Sequence, residues 1–162
     1  LDGLAMIDVF IASEFFFDRV AQGRDVETCC REIQKKGPQI VIFTFGAKGC
    51  AGIGMDGVFF SEPAFDVPVV DTTGAGDVFH GAFIYGLLQG WDARRCAEWG
   101  NAVSAIKITR LGGRAGIPDL QTVNKFLSSG VIDGDALDER ACWYAKALEN
   151  TLKETGGKGD AV

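Results

Sequence analysis

The 162 residues hold a single histidine, His80, four prolines and no long block of lysine or arginine. A lone histidine with no serine or cysteine in a nucleophile elbow gives no hydrolase triad, and His80 is expected to be structural. No G-x-x-x-x-G-K-[ST] occurs, which excludes a P-loop. The net charge of -6 and the absence of a basic stripe exclude a broad nucleic-acid face. No apolar run approaches the roughly 20 residues of a membrane span, and the first residues lack the basic, apolar, small-residue order of a signal peptide. The expected setting is the cytoplasm. Cys29, Cys30, Cys50, Cys96 and Cys142 are odd in number and show no repeated C-x-x-C spacing. That excludes a disulfide framework and a zinc site, and leaves buried free thiols. The acidic cluster Asp133, Asp135, Asp138 and Glu139 lacks the EF-hand order, so it reads as a solvated helix start.

At 47% hydrophobic, a chain of this length builds a real core. Asp8 to Ala12 suits a buried strand. Ser13 then stands at the N-cap of a helix over Glu14 to Ala21, and Asp25 caps a second helix closed by Lys35, Lys36 and Gly37. Gln39 to Phe45 is apolar throughout, as a strand covered on both faces is. Two short apolar runs around Asp56-Gly57 predict a hairpin. Ala64 to Val70, with Pro63 and Pro68, is predicted as an edge strand. Helices follow over Ala75 to Gln89, from Asp92 towards Thr109, over Asp119 to Leu127 and over Ala136 to Leu152, with a glycine-rich loop from Arg110 to Pro118. Thr155 to Val162 is predicted as a frayed tail. Strands and helices alternate first and helices cluster later, which is an α/β layer architecture.

Asp71-Thr72-Thr73-Gly74-Ala75-Gly76-Asp77 is the stretch that carries chemistry. Its glycines let the backbone turn tightly and approach a ligand, and the helix opening at Ala75 directs its unpaired N–H groups at the same spot. A phosphate fits there. Asp77, in the first helical turn, places a carboxylate within reach of a hydroxyl attacking that phosphate. Gly52-Ile53-Gly54-Met55-Asp56-Gly57 matches G-x-G-x-x-G, yet Val58 to Pro63 cannot open a helix, so the dinucleotide reading fails and the hairpin stands. Phe15-Phe16-Phe17 offers more rings than one helix face buries. The third is expected to cover a contact surface.

From Asp71 through Phe83 the sequence resembles the second signature of the ribokinase-like, or pfkB, family of carbohydrate kinases. Thr44-Phe45-Gly46-Ala47-Lys48-Gly49 looks like the family's T-x-G-x-x-G turn along the nucleotide, and Asn101 falls at an adenine-side position. The resemblance implies a three-layer α/β/α ribokinase-like fold. Residues 1–154 would be the C-terminal, nucleotide-binding and catalytic part of the doubly wound sheet, lacking the N-terminal strands and β lid, with residues 155–162 as a flexible tail.

It further implies an ATP-dependent sugar kinase using Mg²⁺, with Asp77 as base and the amides of Gly74, Ala75 and Gly76 as anion hole. Thr44, Gly46, Lys48, Gly49, Gly76 and Asn101 would bind the nucleotide. In potassium-activated members the Arg110 to Pro118 loop helps hold a monovalent cation. By that likeness Asp71, Thr73, Lys107, Arg110, Gly112 and Gly116 would surround K⁺ mostly through backbone oxygens, with the Lys107 and Arg110 side chains pointing elsewhere. The family's N-x-x-E is replaced by Ser13-Glu14-Phe15-Phe16, which leaves Glu14 to reach magnesium through water. The implied partners are a small-molecule sugar and either a second copy or an N-terminal half not present in this chain. A truncated nucleotide-binding relative without catalysis, and a nucleoside or vitamin kinase of the same superfamily, are the alternatives.

Overall fold

The structure, a computed structural model, describes residues 2–156. Its elements run β1 (Val9–Ser13), α1 (Glu14–Ala21), α2 (Val26–Gln34), β2 (Ile40–Thr44), β3 (Cys50–Ile53), β4 (Phe59–Glu62), α3 (Ala75–Leu88), α4 (Ala93–Ile108), α5 (Leu120–Ser129) and α6 (Asp135–Gly156), with short 3₁₀ turns at Asp2–Met6 and Gly46–Lys48. The sheet has the order β1-β2-β3-β4. β1 and β2 are parallel, joined across α1 and α2, and the pairs β2–β3 and β3–β4 are antiparallel.

β2 explains why the sheet is covered on both faces. Its side chains alternate, so Ile40 and Ile42 join one cluster with Phe60, Phe79, Phe83 and Cys96, while Val41 and Phe43 join another with Ala21, Cys29, Cys30 and Ile33. All four strand residues are at most 2% exposed. Each such side chain contributes about 1.5–3 kcal/mol by leaving water. Burial also pushes the Cys30 and Cys50 thiols up to about 12. Four cysteines are buried as expected, and Cys142 is exposed.

The helix starts follow the expected caps. Asp25 accepts from Thr28 N–H, Asp92 from Arg95 N–H and Asp119 from Thr122 N–H, each at 2.8 Å. Ser13 stands at the N-cap of α1 without a side-chain cap bond. The Asp56-Gly57 hairpin joins β3 to β4, with Ile53 facing Phe59. Of the three phenylalanines on α1, Phe17 packs edge-on against Phe43 and Phe45, and Phe16 against Phe10. Phe15 is 68% exposed, beneath the Arg19 guanidinium.

Two expectations are corrected. Residues 64–70 form no strand; Pro63 precedes the segment and Pro68 lies within it, and the N–H groups of Val70 and Asp71 both donate to the Ile108 carbonyl instead of to a strand. The last helix runs on to Gly156, so Thr155 belongs to it; the rest of the expected tail, residues 157–162, lies outside the described residues. The chain divides into two compact units. One comprises residues up to Asp66 together with Gly76–Ala105, and the other Val67–Ala75 together with residues from Ile106 onward.

Candidate functional site

The turn that leads into α3 is built by its own residues. Ala75 N–H donates to the Thr72 carbonyl at 3.0 Å, and Gly74 takes φ +78° as the third residue of that turn. A side chain in such a conformation costs about 1–2 kcal/mol, which is why glycine stands there. α3 begins at Ala75 and carries Asp77 in its first turn, with the residue exposed. A helix start presents N–H groups without intrahelical partners, so this end combines a positive potential with a carboxylate. Of the three amides expected to form an anion hole, that of Ala75 donates to the Thr72 carbonyl in this structure. His80 lies one turn on, its Nδ1 2.7 Å from the Gly76 carbonyl oxygen, a bond within its own helix.

Asp71 ties together the loops of its unit. Its carboxylate accepts from Thr73 N–H at 2.9 Å and from Gly112 N–H at 2.7 Å. Its carbonyl accepts from Lys107 Nζ at 2.9 Å. The Thr73 hydrogen bonds, then that of Gly112 and then the Lys107 charge hold the Asp71 carboxyl down at about 2. A carboxyl depressed in this way adds stability in full above its unfolded value near 3.8, and that stability is lost as pH falls towards about 2. We therefore expect Asp71→Asn to flatten the acid limb of a urea-midpoint profile between about pH 5 and pH 2.5. Coincident wild-type and variant profiles would contradict this role.

The Lys107 side chain departs from expectation. It is 0% exposed and runs to the Asp71 carbonyl, when it was expected to point away. The Arg110 side chain pairs with Asp138 and donates to the Thr109 carbonyl and hydroxyl. Gly116 packs so closely on Lys107 that a Cβ would lie 2.2 Å from the Lys107 carbonyl oxygen. Of the six positions expected around a monovalent cation, Thr73 and Gly112 donate to the Asp71 carboxylate, Lys107 donates to the Asp71 carbonyl, and the Arg110 N–H and Gly116 both meet the Lys107 carbonyl. The donor set fits such a cation poorly, because an ammonium already holds the Asp71 carbonyl.

In the other unit, Thr44 ends β2 and the turn Gly46–Lys48 follows. Phe45 N–H donates to the Gly49 carbonyl at 2.7 Å, closing the turn, and Gly46 to Lys48 are exposed. Lys48 Nζ donates to Glu14 Oε1 at 2.9 Å, which holds the Lys48 ammonium above its ordinary value. A metal-bound water at Glu14 would have to share or displace that lysine. Among the described residues no group of three or more His, Cys, Asp and Glu side chains is placed to hold a metal. Asn101 is buried, and its Nδ2 donates to the carbonyls of Glu62 at 3.2 Å and Pro63 at 3.0 Å and towards Cys50 Sγ. The amide thus fastens the end of β4 to α4. Sequence reasoning missed this role, and it missed the Lys107 bond; the one available signal was a lysine inside the apolar run Ile106-Lys107-Ile108.

A mixed sheet with helices on both faces, a glycine turn after its second strand and a carboxylate on a helix start define a layered α/β protein of the ribokinase-like class. Comparison with known proteins gives the family. The profile of the pfkB family carbohydrate kinases matches residues 1–120, and the chain belongs to that family.

It is 33% identical over 121 residues to the ATP-dependent 6-phosphofructokinase of Thermoanaerobacterium thermosaccharolyticum, covering 74% of this chain and 37% of that protein. An E. coli structure named for ribokinase II, solved with ATP and Mg²⁺, superposes with a TM-score of 0.70 at 29% identity, covering 77% of this chain and 40% of that one. The Arabidopsis thaliana ribokinase complexed with ribose and ATP superposes at 0.69 and 25% identity, covering 76% and 42%. The chain thus spans well under half the length of these relatives. No helix among the described residues is long and apolar enough to cross a membrane.

Proposed function

We propose that this chain is the nucleotide-binding and catalytic part of a kinase that transfers the γ-phosphoryl group of ATP to a sugar hydroxyl. The observation that carries the reading is the Gly74 turn delivering Asp77, exposed, into the first turn of α3. Asp77 takes the proton of the sugar hydroxyl as its oxygen bonds to the γ-phosphorus, and the bond from that phosphorus to the β-phosphate oxygen breaks to leave ADP. The Gly74 and Gly76 amides meet the charge on the transferring group, and Ala75 joins them when its turn to Thr72 opens. Magnesium, carried on the triphosphate, supplies charge neutralisation. Glu14 is the carboxylate proposed near it. The Thr44 to Gly49 turn lies along the nucleotide, with Asn101 on the adenine side behind it. Most sugar contacts belong to the length of the relatives that this chain does not span, supplied by an N-terminal half or by a second copy. A cytoplasmic setting goes with this reading.

A second reading, nucleotide binding without transfer, is favoured by the Ala75 amide being turned onto Thr72. Calorimetric titration of the full protein with MgATP, followed by an ADP-release assay over a panel of sugars, decides between them. One-site binding with sugar-dependent ADP release supports the kinase. Binding with no release over the whole panel supports the second reading, and no binding overturns both.

A further inference from the structure

The most heavily buried charge among the described residues of its unit is Lys107, and the mechanism above leaves it without a task. A lysine out of water is retained only where it is paired and hydrogen-bonded. Here Nζ meets the Asp71 carbonyl at 2.9 Å, and its charge also acts on the Asp71 carboxylate. That carboxylate accepts from Thr73 and Gly112. The Lys107 carbonyl accepts from Arg110 N–H at 3.2 Å and lies against Gly116. One residue therefore joins the segment entering the Gly74 turn to the glycine-rich loop after α4, through a positive charge at its centre.

We propose that the Lys107 ammonium is the resident cation of this loop junction, so that the junction is organised without a free monovalent cation. Lys107 is a positioning residue: it fixes Asp71, and with it the start of the Gly74 turn at the adjoining Thr72. A potassium ion seated on the same Asp71 oxygen would face the ammonium at close range and be repelled. Arg110 spends its planar fork on Asp138 and Thr109, so its charge is engaged elsewhere.

The test uses the full chain in KCl, NH₄Cl or choline chloride at equal ionic strength, read by thermal melting and by MgATP calorimetry. The wild type is expected to melt at one temperature in all three salts. Lys107→Ala, which vacates the space of the ammonium, is expected to melt lower by about 10 °C in choline and to recover most of that in NH₄Cl or KCl. Lys107→Met, which fills the space without a charge, is expected to recover in neither. A saturable, potassium-specific rise in the wild-type melting temperature overturns the proposal, as do Ala and Met variants that respond alike. If neither variant folds, the wild-type salt series alone decides. The proposal takes the loop's importance from the kinase reading, and the two fail separately. Absence of ATP binding in every salt removes that reading, while the melting data still decide the role of Lys107.

Discussion

Asp77→Asn is expected to lower kcat by about 100- to 10,000-fold while leaving the dissociation constant for MgATP unchanged or slightly tighter. The direction of each effect follows from the position of the residue. Asparagine has the shape of aspartate and keeps a side-chain oxygen, so the first turn of α3 loses little. The loss of a negative charge near a helix N-terminus costs about 0.3–1 kcal/mol of fold stability. What asparagine cannot do is accept a proton as the sugar oxygen attacks. Nucleotide binding moves the other way, because a triphosphate arriving at the same helix start is repelled by the Asp77 carboxylate and not by an amide.

The checking measurement is a pair of steady-state and calorimetric titrations on the full protein at saturating sugar. A variant with wild-type kcat removes Asp77 as the base. A variant that loses rate and nucleotide affinity together assigns Asp77 to ground-state binding instead, since an interaction made only in the transition state lowers kcat without weakening the nucleotide.

The parts of the fold that could be read from the sequence were those governed by local chemistry. The sequence predicts a helix over Glu14 to Ala21 and α1 forms over those residues, and the caps at Asp25, Asp92 and Asp119 start the helices that follow them. The neighbours of the G-x-G-x-x-G at residues 52–57 predict a hairpin, and there β3 ends at Ile53 and β4 begins at Phe59. Misreadings arose where the outcome depends on a distant partner. Residues 64–70 have the composition of a strand, yet strand formation needs an edge to pair with, and their exit donates to the carbonyl of Ile108. The Lys107 side chain could not be followed because its path is set by a carbonyl 36 residues earlier in the chain. The partners of the Asn101 amide are similarly distant in the chain, the carbonyls of Glu62 and Pro63. Asp71 lay between these cases: an aspartate bonding the N–H two residues on is a local turn signal, but its second bond, to Gly112, is not.

Gly49→Ala should be the most destabilising single methyl added to the candidate nucleotide turn, by about 3–5 kcal/mol, or about 10 °C in melting temperature. Two independent costs add. Gly49 has φ +89° and ψ -136°, a region held almost only by glycine. A Cβ there would also lie 2.1 Å from the Glu62 carbonyl oxygen and 2.6 Å from Ala64 N and the Pro63 carbonyl carbon, all backbone atoms with no rotamer by which to yield. The Glu62 and Pro63 carbonyls are the ones that accept from Asn101, so pushing them away also strains a buried amide. Gly46, three residues earlier, provides the control. It too has a positive φ, +56°, but a Cβ would meet nothing within 4 Å, so Gly46→Ala should cost only the conformational part, about 1–2 kcal/mol. Melting both variants beside the wild type measures the difference, and equal melting temperatures would show that the close approach at Gly49 is absent. The two glycines of one motif then divide their duties. Gly49 is required by the packing of the turn onto the end of β4, which leaves Gly46, exposed and uncrowded, as the glycine at which added bulk should weaken MgATP binding more than it weakens the fold.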